Sequence, residues 1–192
     1  MIIRGILDRS LSNQICIRGF ARIKELARIS KANPEYQREL LEKQKDVVSN
    51  FLTEETYLFF PEVILSLKLR QDLNLKGAYK DATAIQLIEK GKDFNSNIDK
   101  LKIRSKVFPQ ENFDVNETNQ ITVVEVEFDD AELAQLIQDN KHPLHRIDGN
   151  HRLAAAKEIV TDRISKMNIT FCIVLFEETF EDKFNPASNK TE

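Results

Sequence analysis

The sequence predicts one domain of mixed strands and helices around a single core, α/β or α+β in class. Three observations carry that expectation. Residues 121–128 (ITVVEVEF) alternate Val124, Val126 and Phe128 with Glu125 and Glu127, the period of a strand with one buried face. Residues 170–176 (TFCIVLF) are dominated by apolar side chains over the length of a buried strand. Between residues 33 and 52 the apolar positions Leu40, Leu41, Val47, Val48, Phe51 and Leu52 fall instead at helical spacing. A chain of 192 residues, 41% of them hydrophobic, is long enough to bury a core.

Taken in order, residues 14–18 (QICIR) read as a short strand, apolar at Ile15 and Ile17. Phe20, Ile23, Ala27 and Ser30 mark a short helix. Asn33-Pro34 opens the clearest helix, because Asn caps well and Pro at the first helical position gives up no needed hydrogen bond. Phe60-Pro61 interrupts, and residues 63–67 read as a largely buried strand. Residues 81–90 form a helix on Ala84, Ile85, Leu87 and Ile88, which Gly91 ends. Residues 92–120 are polar and Asn-rich with Pro109 inside. They are expected to be an irregular excursion containing a hairpin, part of a polar insertion at about 68–120. After the strand at 121–128, Asp129-Asp130 caps a helix through Leu133, Leu136 and Ile137, with acidic residues at its positive end. Residues 144–147 read as a short strand, 153–164 as one helix and 170–176 as the last strand. The tail FEETFEDKFNPASNKTE is polar and has no clear stop, and the chain shows no internal repeat.

The net charge of −3 argues against a uniformly basic DNA-coating protein. It conceals blocks. Residues 1–50 carry ten basic and six acidic side chains, net +4. Residues 110–140 carry nine acidic and no basic ones, net −9, and run into residues 141–172 with six basic and three acidic, net +3. Such runs are commonly solvated faces, but focusing an anion in a cleft needs only local charge. Arg18, Arg22, Lys24 and Arg28 are expected to form a basic stripe for DNA. No stretch approaches eighteen apolar residues, and MIIRGILDRS meets Arg4 and Asp8 too early for a signal peptide. Cys16 and Cys172 form neither a metal pattern nor a disulfide framework, so a cytoplasmic location is expected.

The chemistry concentrates in residues 144–156, LHRIDGNHRLAAA. The pattern is strand, tight turn at Gly149, then a helix whose first turn carries His151 and Arg152. Glycine permits the sharp turn or the close approach of a ligand. The free amides and dipole of the helix start favour an anion. Arg152 offers a planar fork for phosphate oxygens, and His151 a further donor. The plainer reading is a surface turn with Arg152 paired to a carboxylate. His142, His145 and His151 match no zinc spacing, so no metal site is expected.

His145 to Leu153 followed by alanines resembles the DGQHR motif of DndB-like proteins, which are similar to the wider ParB/sulfiredoxin superfamily. Tyr36-Gln37-Arg38, with Phe60-Pro61 leading into the 63–67 strand, resembles the N-terminal part of DGQHR proteins. The resemblance covers roughly residues 15–67 and 121–176. It implies an α+β fold, a ParB/sulfiredoxin-like mixed sheet with flanking helices in one domain, and a nucleotide cleft. Carried over, Gly149, Asn150, His151 and Arg152 contact phosphates, Asp148 caps the helix or reaches Mg2+, and Tyr36, Gln37 and Arg38 line the cleft. The implied cofactor is a nucleoside triphosphate, ATP or CTP. This sequence has Asn150 where the motif has Gln, a shorter amide. It has no cysteine where sulfiredoxin carries its reactive one, which removes thiol redox chemistry, and no helix-turn-helix of the ParB kind. DndB-like proteins are usually longer, so a short member or an N-terminal piece is expected.

The function implied is a nucleotide-binding, DNA-binding regulator associated with DNA modification (phosphorothioation), phage defence and transcription control, with defence proteins as partners and no membrane. An NTPase or phosphotransferase on the same cleft is the alternative. It requires Asp148 as the acidic group, with Glu125 or Glu127 lent by the acidic block. A third reading is a protein-interaction module with a vestigial pocket.

Overall fold

The computed structural model of the protein describes residues 1–11, 14–33, 41–54, 60–72, 83–96, 101–109 and 120–180. Among the described residues nine strands are present: β1 (Ile2–Leu11), β2 (Gln14–Arg22), β3 (Ser30–Ala32), β4 (Val63–Asp72), β5 (Phe94–Ser96), β6 (Leu101–Pro109), β7 (Gln120–Phe128), β8 (Leu144–Arg146) and β9 (Asn168–Phe180). They form one open sheet in the order β3-β8-β4-β9-β2-β1-β7-β6-β5. The pairs β3–β8 and β4–β9 are parallel and the rest antiparallel, so the sheet is mixed and the fold is α+β. The six described helices are α1 (Ile23–Ile29), α2 (Glu42–Glu54), α3 (Ala84–Glu89), α4 (Asp130–Gln138), α5 (Asn150–Glu158) and α6 (Asp162–Lys166).

Alternation decides which face is covered. On β4, β7 and β9 the residues Val63, Leu65, Leu67, Val124, Val126, Phe171 and Ile173 point into one core with Leu26 of α1, Leu52 of α2, Ile88 of α3, Leu133 of α4 and Leu153 of α5. The opposite face carries Arg4, Arg18, Lys68, Arg104, Glu125 and Glu127, and none of the described helices covers it. The sheet also curls, so that Ser96 Oγ on the last strand donates to the Arg70 carbonyl on the third, at 3.0 Å.

A glycine pair permits the packing at the sheet's centre. Gly5 and Gly19 face each other across β1 and β2. A Cβ on Gly19 would stand 2.4 Å from the Arg4 carbonyl oxygen and 3.0 Å from the Phe171 ring. The space these residues leave lets Phe171 lie fully buried over the strands.

The structure differs from the sequence reading at four places. The N-terminal segment is a ten-residue strand, β1. The polar stretch at 92–120 contains the expected hairpin, the antiparallel pair β5–β6, but its strands belong to the main sheet rather than to an irregular excursion, with β6 alternating buried Leu101 and Ile103 against exposed Lys102 and Arg104. The helix expected over 153–164 is two, α5 and α6. The β-branched run Ile159-Val160-Thr161 leaves helical geometry there, and Thr161 caps α6 by accepting from Ile164 N. The long helix expected from Asn33 is described only from Glu42, residues 34–40 lying outside the described set. Elsewhere the expected devices operate. Asp129 accepts from the amides of Ala131 and Glu132 at the start of α4, and Gly91 follows α3 with φ +68°. No described helix is long and apolar enough to cross a membrane.

Candidate functional site

The turn between β8 and α5 is built on Gly149, which has φ +84° and sits at the N-cap of α5. A side chain there would meet Val63 Cγ1 at 2.7 Å, so both the backbone conformation and the packing require glycine. Glycine supplies no capping oxygen, and among the described residues no side chain caps α5. The amides of its first turn therefore keep the donor capacity that favours an anion. The turn is anchored from beneath, where the amides of Ile147 and Asp148 both donate to the Ile64 carbonyl, at 2.8 and 2.9 Å.

Each candidate side chain has a definite placement. Arg152 Nη1 donates to the Pro61 carbonyl at 2.7 Å, its Nη2 to Asp148 Oδ2 at 2.8 Å, and its guanidinium lies 5.4 Å from the Phe60 ring centroid. These contacts orient the arginine while Asp148 remains largely exposed. Asp148 therefore serves Arg152, and the N-cap position belongs to Gly149. His151 Nε2 accepts from the Leu41 amide at 3.2 Å, which leaves Nδ1 as the protonated nitrogen in the neutral ring. Asn150 is buried, and its Oδ1 accepts from Arg146 Nη1 at 3.1 Å. Its side-chain oxygen thus turns inward, while its backbone amide belongs to the open turn. Tyr36, Gln37 and Arg38 lie outside the described residues.

Two sequence segments about a hundred residues apart thus meet. Pro61 and Phe60 hold Arg152, Val63 packs on Gly149, and Leu41, just ahead of α2, holds His151.

Arg146 was in the motif but was not among the expected site residues. It is buried, and its Nε donates to Ser30 Oγ at 3.0 Å and its Nη2 to the carbonyls of Ala27 and Ser30 at 3.0 and 2.9 Å. Its hydrogen-bond partners among the described residues are all neutral, and burial lowers its pKa to about 10. It remains charged at neutral pH, and the positive charge sits at the C-terminus of α1, where the dipole favours it. Arg146 therefore ties the end of α1 to Asn150 at the start of α5. Its position on the core face follows from pairing with Leu65.

Other expected contributors lie elsewhere. Glu125 pairs with Arg4, and Glu127 with Arg104 at 2.6 Å, on the uncovered face of β7, with four strands between β7 and β8. Arg18 is on that same face with Asp8, at 2.9 Å, whereas Lys24 and Arg28 are on α1. The expected basic stripe is thus divided between the two sides of the sheet. Cys16 and Cys172, far apart in sequence, are fully buried on neighbouring strands. Burial raises both thiols, Cys172 to about 12, so they are inert at neutral pH. Among the described residues no three His, Cys, Asp or Glu side chains are grouped to hold a metal ion. Compared with protein-family models, curated proteins and solved structures, the chain matches none.

Proposed function

We propose that the protein binds the phosphates of a nucleotide at the start of α5. The observation that carries this reading is the meeting of the segments around Leu41–Val63 and Asp148–Arg152 at a helix start that no described side chain caps. The residues fit a phosphate group: amide donors at the turn, an oriented guanidinium and a second imidazole nitrogen. Among the described residues they offer a metal ion only Asp148, already paired with Arg152, so Mg2+ would come with the nucleotide rather than be held by a protein cage.

The finer reading, a ParB/sulfiredoxin-like domain acting as a DndB-like DNA-binding regulator in DNA modification or phage defence, rests on the motif resemblance. The NTPase reading loses Glu125 and Glu127 as general bases, since both are engaged by arginines across the sheet. Binding of labelled ATP, CTP and GTP to the wild type and to Arg152→Ala tests the core proposal. At least one nucleotide should bind, and Arg152→Ala should weaken it by about 1.5–3 kcal/mol, the scale of a charged hydrogen-bonding group. No binding of any of the three would sink it. Thermal unfolding of the variant, measured alongside, separates loss of the site from loss of the fold.

A further inference from the structure

A second site lies at the opposite end of β8 from the turn. A cavity of about 460 Å³ opens between the strands β3, β8 and β4 and the limb made by β6, β7 and α4. Its lining contains Lys31, Lys68, Arg70, Lys141, His142 and His145, and no carboxylate among the described residues. The topology assembles this set. Parallel pairing sets Lys31 beside His145, and antiparallel pairing sets His145 beside Ser66, so these residues share a face with Lys68 and Arg70. Lys141 and His142 arrive from the connection between α4 and β8.

Among the described residues one carboxylate, that of Glu178, is shown against part of this charge. Glu178 on β9 accepts from Lys68 at 2.6 Å and pairs with Arg70 at 3.5 Å. Among the described residues Lys31 and Lys141 reach the cavity with no carboxylate shown against them, beside Lys68 and Arg70, which share Glu178. Burial, and then the surrounding cations, hold both histidines below the ordinary imidazole value. Burial and positive potential both disfavour the charged imidazole. The other part of the lining is apolar: Leu67, Leu101, Phe128 and Leu136. The volume is within the range of small-molecule sites, about 300–1,000 Å³.

We propose that this cavity binds a small organic anion, a phosphate monoester carrying a flat apolar group, with the phosphate toward Lys31 and Lys141 and the ring on Leu101, Phe128 and Leu136. The charge selects the head, and the apolar floor selects against inorganic phosphate. This site is separate from the α5 turn and does not depend on it.

The test is calorimetric titration of the full chain with 1-naphthyl phosphate, 1-naphthol and inorganic phosphate. 1-Naphthyl phosphate should bind at least about tenfold more tightly than either part, because each part meets only half the lining. The double variant Lys31→Glu/Lys141→Glu should weaken it by at least about tenfold, since like charge faces the anion. Both lysines are exposed, so folding should survive; Lys31→Ala/Lys141→Ala should weaken binding in the same direction. Lys166→Glu on α6, an exposed cation away from the cavity, should leave binding unchanged and control for net charge. The proposal is overturned if the wild type does not bind 1-naphthyl phosphate, or if both double variants bind it as the wild type does. Equal affinity for inorganic phosphate overturns the two-part ligand.

Discussion

Arg146 shows how one residue sets the geometry of a site it does not enter. Its guanidinium gathers Ala27 O, Ser30 O, Ser30 Oγ and Asn150 Oδ1 around one buried charge. Truncation leaves those acceptors without their donor. Arg146→Ala should therefore cost about 2–4 kcal/mol of stability, read by urea unfolding. A loss under about 0.5 kcal/mol would mean that the cluster reorganises freely. Gly149 makes a different demand, since Gly149→Ala must place a Cβ at φ +84° and against Val63. That should cost about 1–3 kcal/mol, and an unchanged unfolding midpoint would contradict it. The histidines around the cavity give a pH signature. His142 is lowered by burial and by Lys157, Lys31 and Arg146; His145 by burial and by Lys68, Lys31 and Arg70, opposed by Glu178. The unfolded chain then takes up protons first, near 6.5. Stability should fall as pH drops through 6.5 toward the folded values, and this contribution should level off below them. His145→Gln should flatten the slope measured between pH 7.5 and 5.5; an identical slope would remove His145 as its source.

At the scale of elements, the sheet's central strands depend on a contact that only backbone can make. Gly19→Ala would drive a Cβ to 2.4 Å from the Arg4 carbonyl, which is main chain and cannot rotate away. The β1–β2 pairing must shift, and the expected loss is about 2 kcal/mol or more in chemical unfolding. An increase in stability, as Gly→Ala gives in an unstrained strand, would contradict the packing described. The cross-strand partner of Gly19, Gly5, explains why β1 was not legible in the sequence. Ile3 and Leu7 point into the sheet's covered side, but Gly5 interrupts the apolar row and the exposed Ile2 and Ile6 fill the other. A period of two is therefore hidden. In β7 the same face reads Val124, Val126, Phe128 without interruption, and it was legible at once. The alternation of β6 was present in LKIRSKVFP but was outweighed by its polar surroundings. The turn at Gly149 and the helix after it were legible because local chemistry fixes them. What Arg146, Asn150 and His151 would bind was not, because Ser30, Ala27 and Leu41 reach them only through the fold.

Across the described residues, the six helices pack on one side of the sheet, and the other carries cross-strand ion pairs and a small buried cluster of Cys16, Cys172 and Val174. Arg4 and Arg104 bracket Glu125 and Glu127, and Lys68 and Arg70 share Glu178. The acidic block at 110–140 is thus neutralised in part by basic residues distant in sequence, which the block arithmetic could not reveal. The same fold separates two positively charged regions to opposite ends of β8, the α5 turn and the cavity beside His145. Nucleotide binding should respond to changes at the first and not the second. The most direct measurement is an amide chemical-shift titration of the full chain with ATP, CTP and GTP. The account predicts that the largest shifts for a binding nucleotide fall on the amides of Gly149, Asn150, His151 and Arg152, with Leu41 following through His151. Shifts confined to Lys31, Lys141 and His145, or no shifts with any of the three, would contradict it.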